Sequence, residues 1–313
     1  MTPMEKLRII FFGTPDFSIP VLESLVRADL APALIVTAPD APKGRGLVMT
    51  PSPVKTVALA LGIPVITPDS LKDAEAIKAI TDAHPDLHVI AAYGKIIPKA
   101  ILDIPKHGTL NVHPSLLPKY RGPSPVASAL LEGETATGVT IMLTNEQLDQ
   151  GSILAAKTHA VDPDDTSLSL VTTLFELGGE LLVRTIPDWV AGKITPTPQD
   201  ESYATLTKKL SKADGHIDWD QDAKTIANCI RACTPWPSAW TNQKDGSRII
   251  ILKAIAIAES PNIPTGTLFK AQGSFAVRTN SGSLLLFAVT RAGRDPEAVT
   301  EYTSWLHEGD RFI

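Results

Sequence analysis

The sequence predicts an α/β domain built on a mostly parallel sheet, followed by a small β-barrel domain. In the first two thirds of the chain, short apolar segments alternate with segments of helical spacing. That alternation is typical of a parallel sheet covered by helices. In the last third, short strand-like segments separated by Gly, Asn and Pro are typical of a small barrel. A chain of 313 residues is long enough for two such domains, each with its own core.

The strands of the first domain are predicted from short apolar or β-branched segments that end at turn residues. They cover residues 7–12, 34–38, 64–66, 87–92, 108–112, 138–143 and 153–160. Helices are predicted where apolar residues recur every three or four positions. They cover residues 19–28, 53–61, 73–83, 124–132 and 167–190. Gly178 and Gly179 lie inside the last helix and are compatible with a bend there.

The second domain is predicted to contain one helix and several short strands. The helix covers residues 223–232 and ends before Pro235 and Pro237. The strands cover residues 248–254, 266–269, 275–279 and 284–289. A stretch rich in Pro, Thr and Gln precedes this region and is typical of a linker. The predicted boundaries are therefore 1–190 for the first domain, 191–205 for the linker and 206–313 for the second domain.

Composition is that of a globular, water-soluble protein. Hydrophobic residues make up 43% of the chain and charged residues 20%. No apolar run reaches the roughly 20 residues that a membrane-spanning helix needs, and the first residues do not resemble a secretion signal. We therefore expect a cytoplasmic protein.

Charge and cysteine content exclude little. The net charge is −5, and residues 206–313, with 13 basic and 11 acidic side chains, are slightly more basic than the rest. This balance alone does not predict nucleic-acid binding. The two cysteines, Cys229 and Cys233, fall on one face of a predicted helix, where a disulfide would distort it. We interpret them as buried thiols without a catalytic role.

The first predicted strand ends at Gly13 and is followed by a helix, an arrangement found in nucleotide-binding domains. The second and third glycines of the dinucleotide-binding motif are absent from this turn. The sequence therefore argues against an enzyme that uses a nicotinamide cofactor.

The most informative segment is Asn111-Val-His-Pro-Ser-Leu-Leu-Pro-Lys-Tyr-Arg-Gly122. Asn111 and His113 are two residues apart at the end of a predicted strand, so their side chains point to the same side. Ligands usually bind at the carboxyl ends of strands in open α/β sheets. A carboxamide can donate to a developing oxyanion and an imidazole can transfer a proton, which together suit acyl transfer. Taken singly, each residue could equally be a turn former or a structural residue.

Asp149 is a candidate third member of this group. It precedes Gly151 in a predicted turn, where an aspartate is often only a turn residue. A histidine that moves a proton is commonly oriented by a carboxylate, and that requirement makes Asp149 relevant.

The segment 111–122 resembles the signature of the folate-dependent formyltransferase family. Four further segments are similar to members of that family that act on methionyl-initiator-tRNA: residues 13–17, 148–151, 231–237 and 305–311. The resemblance implies a Rossmann-like catalytic domain followed by an OB-like barrel that binds tRNA. It also implies that a formyl group moves from 10-formyltetrahydrofolate to the α-amino group of methionyl-initiator-tRNA for translation initiation.

The family resemblance assigns roles to individual residues. It implies that Asn111, His113 and Asp149 form the catalytic set. The implied folate contacts are Tyr93, Gly94, Ser115, Leu116, Leu117 and Pro118. Residues 39–53 are similar to a loop that family members place against tRNA, which implies tRNA contacts for Lys43 and Arg45.

The reaction expected from these residues is direct attack of the amine on the formyl carbon, through a tetrahedral intermediate. It needs neither a nucleophilic side chain nor a metal, and we expect the protein to act as a monomer. Two other enzyme activities stay open: formylation of a nucleotide sugar or purine precursor, and hydrolysis of formyl-folate. A non-catalytic tRNA-binding module is the alternative from a different functional class.

Overall fold

The computed structural model describes residues 7–44, 46–291 and 294–313. These residues form two compact units. The first unit comprises residues 7–122, 136–160 and 171–206, and the second comprises residues 123–135, 161–170 and 207–313. In the described ranges, no helix is both long and apolar enough to cross a membrane.

The first unit is built on a sheet of seven strands. The strands of this unit, including a separate hairpin, are β1 (Ile9–Gly13), β2 (Leu34–Val36), β3 (Ala41–Lys43), β4 (Val48–Thr50), β5 (Val65–Ile66), β6 (Leu87–Ala91), β7 (Thr109–His113), β8 (Ala136–Leu143) and β9 (Ile153–Ala160). The sheet has the order β5-β2-β1-β6-β7-β8-β9. Strands β5, β2, β1, β6 and β7 run parallel to one another, whereas β8 runs antiparallel to β7 and β9. The predicted α/β class with a mostly parallel sheet is confirmed.

Helices cover both faces of this sheet. The helices of the chain before residue 200 are α1 (Ile19–Arg27), α2 (Pro53–Ala60), α3 (Ala74–Asp82), α4 (Lys99–Leu102), α5 (Pro125–Leu131) and α6 (Ser167–Val190). Side chains of α1, α2 and α6 form one core with β1, β6 and β7, and side chains of α3 and α4 form another on the opposite face. Parallel strands buried on both faces explain why their sequences are continuously apolar.

Helix α6 runs through Gly178 and Gly179 as a single helix. The two glycines allow close packing rather than a break. A Cβ atom at Gly178 would lie 2.5 Å from Cγ1 of Val112 on β7, and one at Gly179 would lie 2.7 Å from Oγ of Ser24 on α1.

The second unit contains α5, helix α7 (Ala223–Ala232) and an antiparallel sheet. Its strands are β10 (Ala239–Asn242), β11 (Arg248–Ile257), β12 (Leu268–Ala271), β13 (Ser274–Arg278), β14 (Ser283–Arg291) and β15 (Glu297–Ala298). The order is β10-β11-β14-β13-β12, and β15 pairs with β14. Asp222 caps α7 by accepting hydrogen bonds from the N–H groups of Lys224 and Thr225, each 3.0 Å long. The predicted small C-terminal β domain is confirmed, and its strands pair antiparallel.

Some elements differ from the sequence prediction. The predicted loop 39–53 contains the hairpin β3–β4, and α4, β10 and β15 were not predicted. All four are short, and the hairpin strands are largely exposed, so they lack the periodic apolar pattern on which prediction depends. Residues 123–135 and 161–170 belong to the second compact unit, although they fall inside the predicted domain 1–190.

Candidate active site

The candidate site lies at the carboxyl end of β7. Asn111 and His113 are the third and fifth residues of this strand, so their side chains leave the sheet on the same side. The turn between β8 and β9 contains Asp149. Strand β8 is hydrogen-bonded directly to β7, with His113 opposite Thr140.

One carboxylate oxygen of Asp149 faces both side chains of β7. Its Oδ1 lies 3.4 Å from Nδ2 of Asn111, a long hydrogen bond. The same oxygen lies 3.8 Å from Nδ1 of His113, which is within ion-pair range but beyond hydrogen-bond distance. The structure therefore brings Asn111, His113 and Asp149 together around a single oxygen atom.

Backbone groups of the segment 111–122 also contact Asp149 and His113. The N–H of Gly122 donates a 2.8 Å hydrogen bond to Oδ2 of Asp149. Nε2 of His113 lies 3.0 Å from the carbonyl oxygen of Tyr120. Because a carbonyl can only accept, Nε2 carries the hydrogen and Nδ1 is the nitrogen that faces the carboxylate.

Asp149 occupies an unusual backbone conformation. Its φ of 51° lies in the left-handed region, which non-glycine residues rarely adopt. The turn packs closely against β8. A Cβ atom at Gly151 would lie only 1.5 Å from the carbonyl oxygen of Leu143, so this position has no room for a side chain. Nε2 of Gln199 donates to the carbonyl oxygens of Asp149, at 2.8 Å, and Gly151, at 2.7 Å.

Arg121 is a fully enclosed charged side chain beside the site, only 2% exposed. Its Nε donates to Oε1 of Gln199 at 2.9 Å. Its Nη1 and Nη2 donate to the two carboxylate oxygens of Glu201, at 2.9 and 2.7 Å. The hydrogen bond from Arg121 lowers the pKa of the Glu201 carboxyl below its ordinary value.

Sequence analysis missed Gln199 and Glu201, which fall in the predicted linker 191–205. A stretch rich in Pro, Thr and Gln gives no periodic signal, and its partners are about 50 to 80 positions away along the chain. Arg121 falls within the segment 111–122, but nothing in the local sequence assigns it a role. Only its enclosure in the folded chain shows that its charge needs a partner.

The residues expected to contact folate fall into two segments. In the first, Ser115 is 0% exposed, and its hydroxyl donates to the carbonyl oxygen of Lys119 at 2.7 Å. The hydroxyl of Thr140 donates to the carbonyl of Ser115 at 2.7 Å and accepts from the N–H of Leu117 at 3.2 Å. Leu117 is buried, whereas Leu116 and Pro118 are half-buried. This segment is therefore held rigidly against β8.

The second segment follows β6. Tyr93 is 4% exposed, and its ring packs edge-on against Phe12 with 5.6 Å between ring centres. Its hydroxyl is buried and has no hydrogen-bond partner among the described residues. Burial raises the pKa of this phenol to about 12. Gly94 is exposed and has a φ of 81°, which allows a sharp turn after the carboxyl end of β6.

The residues expected to contact tRNA lie in or near the hairpin β3–β4. Lys43 is the last residue of β3 and is exposed. Arg45 falls outside the described residues. Leu47, Val48 and Met49 continue the hairpin and are also exposed, so apolar side chains share its surface with the lysine.

Within the described part of the chain, no three His, Cys, Asp or Glu side chains are grouped so that they could hold a metal ion. Cys229, on α7, and Cys233, the residue that follows this helix, are free thiols in the second unit. The group at the end of β7 thus consists of a carboxamide, an imidazole and a carboxylate. Together they can donate a hydrogen bond to an oxyanion and move a proton, the two requirements of acyl transfer to an amine.

Two family models match the chain: Formyl transferase over residues 7–186, and Formyl transferase, C-terminal domain, over residues 209–305. The methionyl-tRNA formyltransferase of Chloroflexus aurantiacus is 43% identical over 303 residues, covering 96% of this chain and 97% of that protein. That of Lysinibacillus sphaericus is 39% identical over 309 residues, covering 97% and 99%.

Among solved structures, the N-formyltransferase from Helicobacter canadensis in complex with folinic acid and dTDP-3-aminofucose has a TM-score of 0.65. It is 17% identical, and the match covers 90% of this chain and 98% of that chain, which shows a shared fold. The matches to both family models and to full-length relatives agree. This chain therefore belongs to the formyltransferase family.

Proposed function

We propose that this protein transfers the formyl group of 10-formyltetrahydrofolate to the α-amino group of methionyl-initiator-tRNA, for translation initiation. The choice of methionyl-tRNA as acceptor rests on the names of relatives that match nearly the whole chain. The structural observation that supports the chemistry is the position of Asp149 Oδ1, which faces Asn111 and His113 together.

In the proposed reaction, the uncharged amine attacks the formyl carbon and a new C–N bond forms. The carbonyl oxygen becomes an oxyanion, to which Nδ2 of Asn111 donates a hydrogen bond. The bond between the formyl carbon and N10 of the folate then breaks. The amine loses a proton to His113, and N10 gains one as tetrahydrofolate leaves, so the protein needs no covalent intermediate.

The geometry indicates how His113 would hold the proton. Its Nε2–H is donated to the carbonyl of Tyr120, so Nδ1 has the available lone pair. A proton taken up at Nδ1 would lie beside Oδ1 of Asp149, whose negative charge stabilises the imidazolium. Asp149 therefore orients and stabilises the base rather than reacting itself.

The proposed folate contacts are Tyr93, Gly94, Ser115, Leu116, Leu117 and Pro118. The enclosure of Ser115 and Leu117 favours a role in shaping the segment, while the half-buried Leu116 and Pro118 offer apolar surface to a flat ring. Because the hydroxyl of Tyr93 is buried, its main chain is better placed than its side chain to meet a ligand.

Two further proposals concern the tRNA. Lys43 and Arg45 would contact the phosphate backbone near the reacting end. The domain 206–313 would bind the body of the tRNA, while the domain 1–190 supplies catalysis. We also propose that the protein acts as a monomer, which gel filtration with light scattering would test against the chain mass of 33.5 kDa.

The decisive experiment incubates the protein with 10-formyltetrahydrofolate and methionyl-initiator-tRNA, then measures formyl-methionine released from the tRNA by mass spectrometry. Parallel reactions replace the tRNA with a nucleotide aminosugar, or omit any amine. Formylation of the methionyl-tRNA supports the proposal. Turnover only with the sugar, or only release of formate, would contradict it.

A further inference from the structure

We propose that Gln199 is a positioning residue: held by the Arg121–Glu201 ion pair, it fixes the turn that presents the Asp149 carboxylate to Asn111 and His113. This inference rests on the proposed function. It extends the site into the segment predicted to be a linker and gives that segment a part in catalysis.

The turn needs an external support. Asp149 has a left-handed φ of 51°, a conformation that is uncommon for residues with a Cβ atom and is maintained by contacts from the surroundings. The side-chain amide of Gln199 donates both of its hydrogens across this turn, one to the carbonyl of Asp149 and one to that of Gly151. The two bonds, 2.8 and 2.7 Å long, fix the Asp149–Gln150 and Gly151–Ser152 peptide groups.

The orientation of the Gln199 amide is itself determined. Its oxygen accepts from Nε of Arg121, and its nitrogen faces two carbonyl oxygens. A flipped amide would place its nitrogen against the Arg121 donor and its oxygen against both carbonyls, losing all three hydrogen bonds. Arg121 cannot turn away, because its other two nitrogens bind both carboxylate oxygens of Glu201.

The same short segment also holds the carboxylate directly. Arg121 fixes Gln199, and the next residue, Gly122, donates its N–H to Oδ2 of Asp149. Arg121 and Gly122 therefore position both parts of Asp149. Arg121 acts on the backbone of the turn through Gln199, and Gly122 binds the carboxylate directly. Displacing either contact would move Oδ1 relative to Asn111 and His113.

The sharpest test is Gln199→Glu. The substitution keeps the side-chain shape and the contact to Arg121, but replaces the donating nitrogen with an oxygen that faces the two carbonyls. Because a shift of about 1 Å in catalytic geometry can cost about 10²-fold in rate, we expect kcat to fall by about that factor. KM for both substrates should change little, since the binding surfaces are untouched. Gln199→Met, which cannot donate at all, should show a similar loss.

The pH dependence separates positioning from general damage. A protonated glutamate at position 199 regains one donor, so the ratio of Gln199→Glu activity to wild-type activity should rise as the pH falls. The corresponding ratio for Gln199→Met should stay flat. Gln147→Glu is the matched control: it adds the same charge to an exposed side chain two residues from Asp149 and should retain wild-type kcat.

Crystal structures of the wild type and Gln199→Met make the test independent of turnover. We expect the distance between Asp149 Oδ1 and Asn111 Nδ2 to increase by about 1 Å in the variant. The inference would be overturned if the turn in Gln199→Met has the wild-type geometry, or if both variants keep kcat within threefold of the wild type. It would also be overturned if the activity ratio of Gln199→Glu to the wild type does not change with pH. A wild-type protein that fails to formylate methionyl-tRNA would instead contradict the proposed function, and the two crystal structures would still decide the role of Gln199.

Discussion

The N–H of Gly122 donates a 2.8 Å hydrogen bond to Oδ2 of Asp149, which links the segment 111–122 to the turn between β8 and β9. Gly122 closes the segment that begins with Asn111, and Asp149 lies 27 positions further along the chain. This bond occupies one carboxylate oxygen and turns the other toward Asn111 and His113. The backbone of the segment 111–122 thus holds the carboxylate that faces two side chains of the same segment, Asn111 and His113.

Replacing Asp149 with Asn should reduce kcat by about 10²–10⁴-fold, because a neutral amide cannot stabilise the imidazolium of His113. The amide oxygen can still accept from Gly122, so the protein should fold normally. Steady-state formylation of methionyl-tRNA, together with a thermal melt, measures both effects. Near wild-type turnover would remove Asp149 from the mechanism.

Replacing Asn111 with Ala should lower kcat by about 10²–10³-fold, since the oxyanion loses a positioned donor. KM for either substrate should change much less, because the bond strengthens only as charge develops. Asn262→Ala, which changes an exposed carboxamide in the second unit, is the control and should leave kcat unaltered. An equal effect of the two substitutions would argue against an oxyanion role.

The sequence predicts the fold class and the three residues around Asp149 Oδ1, for different reasons. Buried parallel strands are recognisable because they are continuously apolar, and Asn111 and His113 share a side because of strand alternation. That Asp149 meets them follows from the pairing of β7 with β8. Local sequence does not reveal such a pairing, and only the family resemblance indicated it.

The remainder of the site could not be predicted because it depends on long-range packing. Gln199 has an ordinary linker context, and its importance comes from two carbonyl groups on a turn some 50 residues earlier. The family resemblance implies a folate contact for Ser115, but it does not indicate that the fold encloses this residue and uses its hydroxyl within the loop. Burial of that kind is decided by neighbours that are distant in sequence.

Replacing Tyr93 with Phe should leave the KM for 10-formyltetrahydrofolate within twofold of the wild type. The hydroxyl is buried and has no hydrogen-bond partner in the described structure. We therefore expect its removal to take away no contact with folate. Removing an unpaired buried hydroxyl should keep or raise stability, by up to about 1 kcal/mol. Folate titrations and chemical denaturation measure the two quantities. A large rise in KM would show that the side chain itself contacts folate.

Protonation of His88 should make the protein less stable in acid. This imidazole is 0% exposed on β6, and burial lowers its pKa from 6.5 to about 3. The unfolded chain therefore binds a proton below pH 6.5 that the folded chain rejects, and stability falls as the pH decreases toward 3. Between pH 7 and pH 5 this group should remove about 2 kcal/mol of unfolding free energy.

The substitution His88→Leu tests that assignment. It should flatten the pH dependence of the unfolding free energy between pH 7 and pH 5, as measured by urea denaturation. His84→Asn, which changes an exposed imidazole and suits the left-handed φ at this position, should leave the wild-type slope intact. Identical slopes for the wild type and His88→Leu would show that the acid sensitivity has another source.

Replacing Lys43 with Ala should weaken tRNA binding without changing kcat. Lys43 is exposed at the end of β3, where its charge can approach a phosphate, and it lies outside the group around Asp149. The slope of log KM for tRNA against log salt should decrease by about 1, the value for one lost phosphate contact. Lys72→Ala removes another exposed charge from the first unit and should preserve the wild-type slope. If both variants have the wild-type slope, the hairpin β3–β4 does not use Lys43 to hold tRNA.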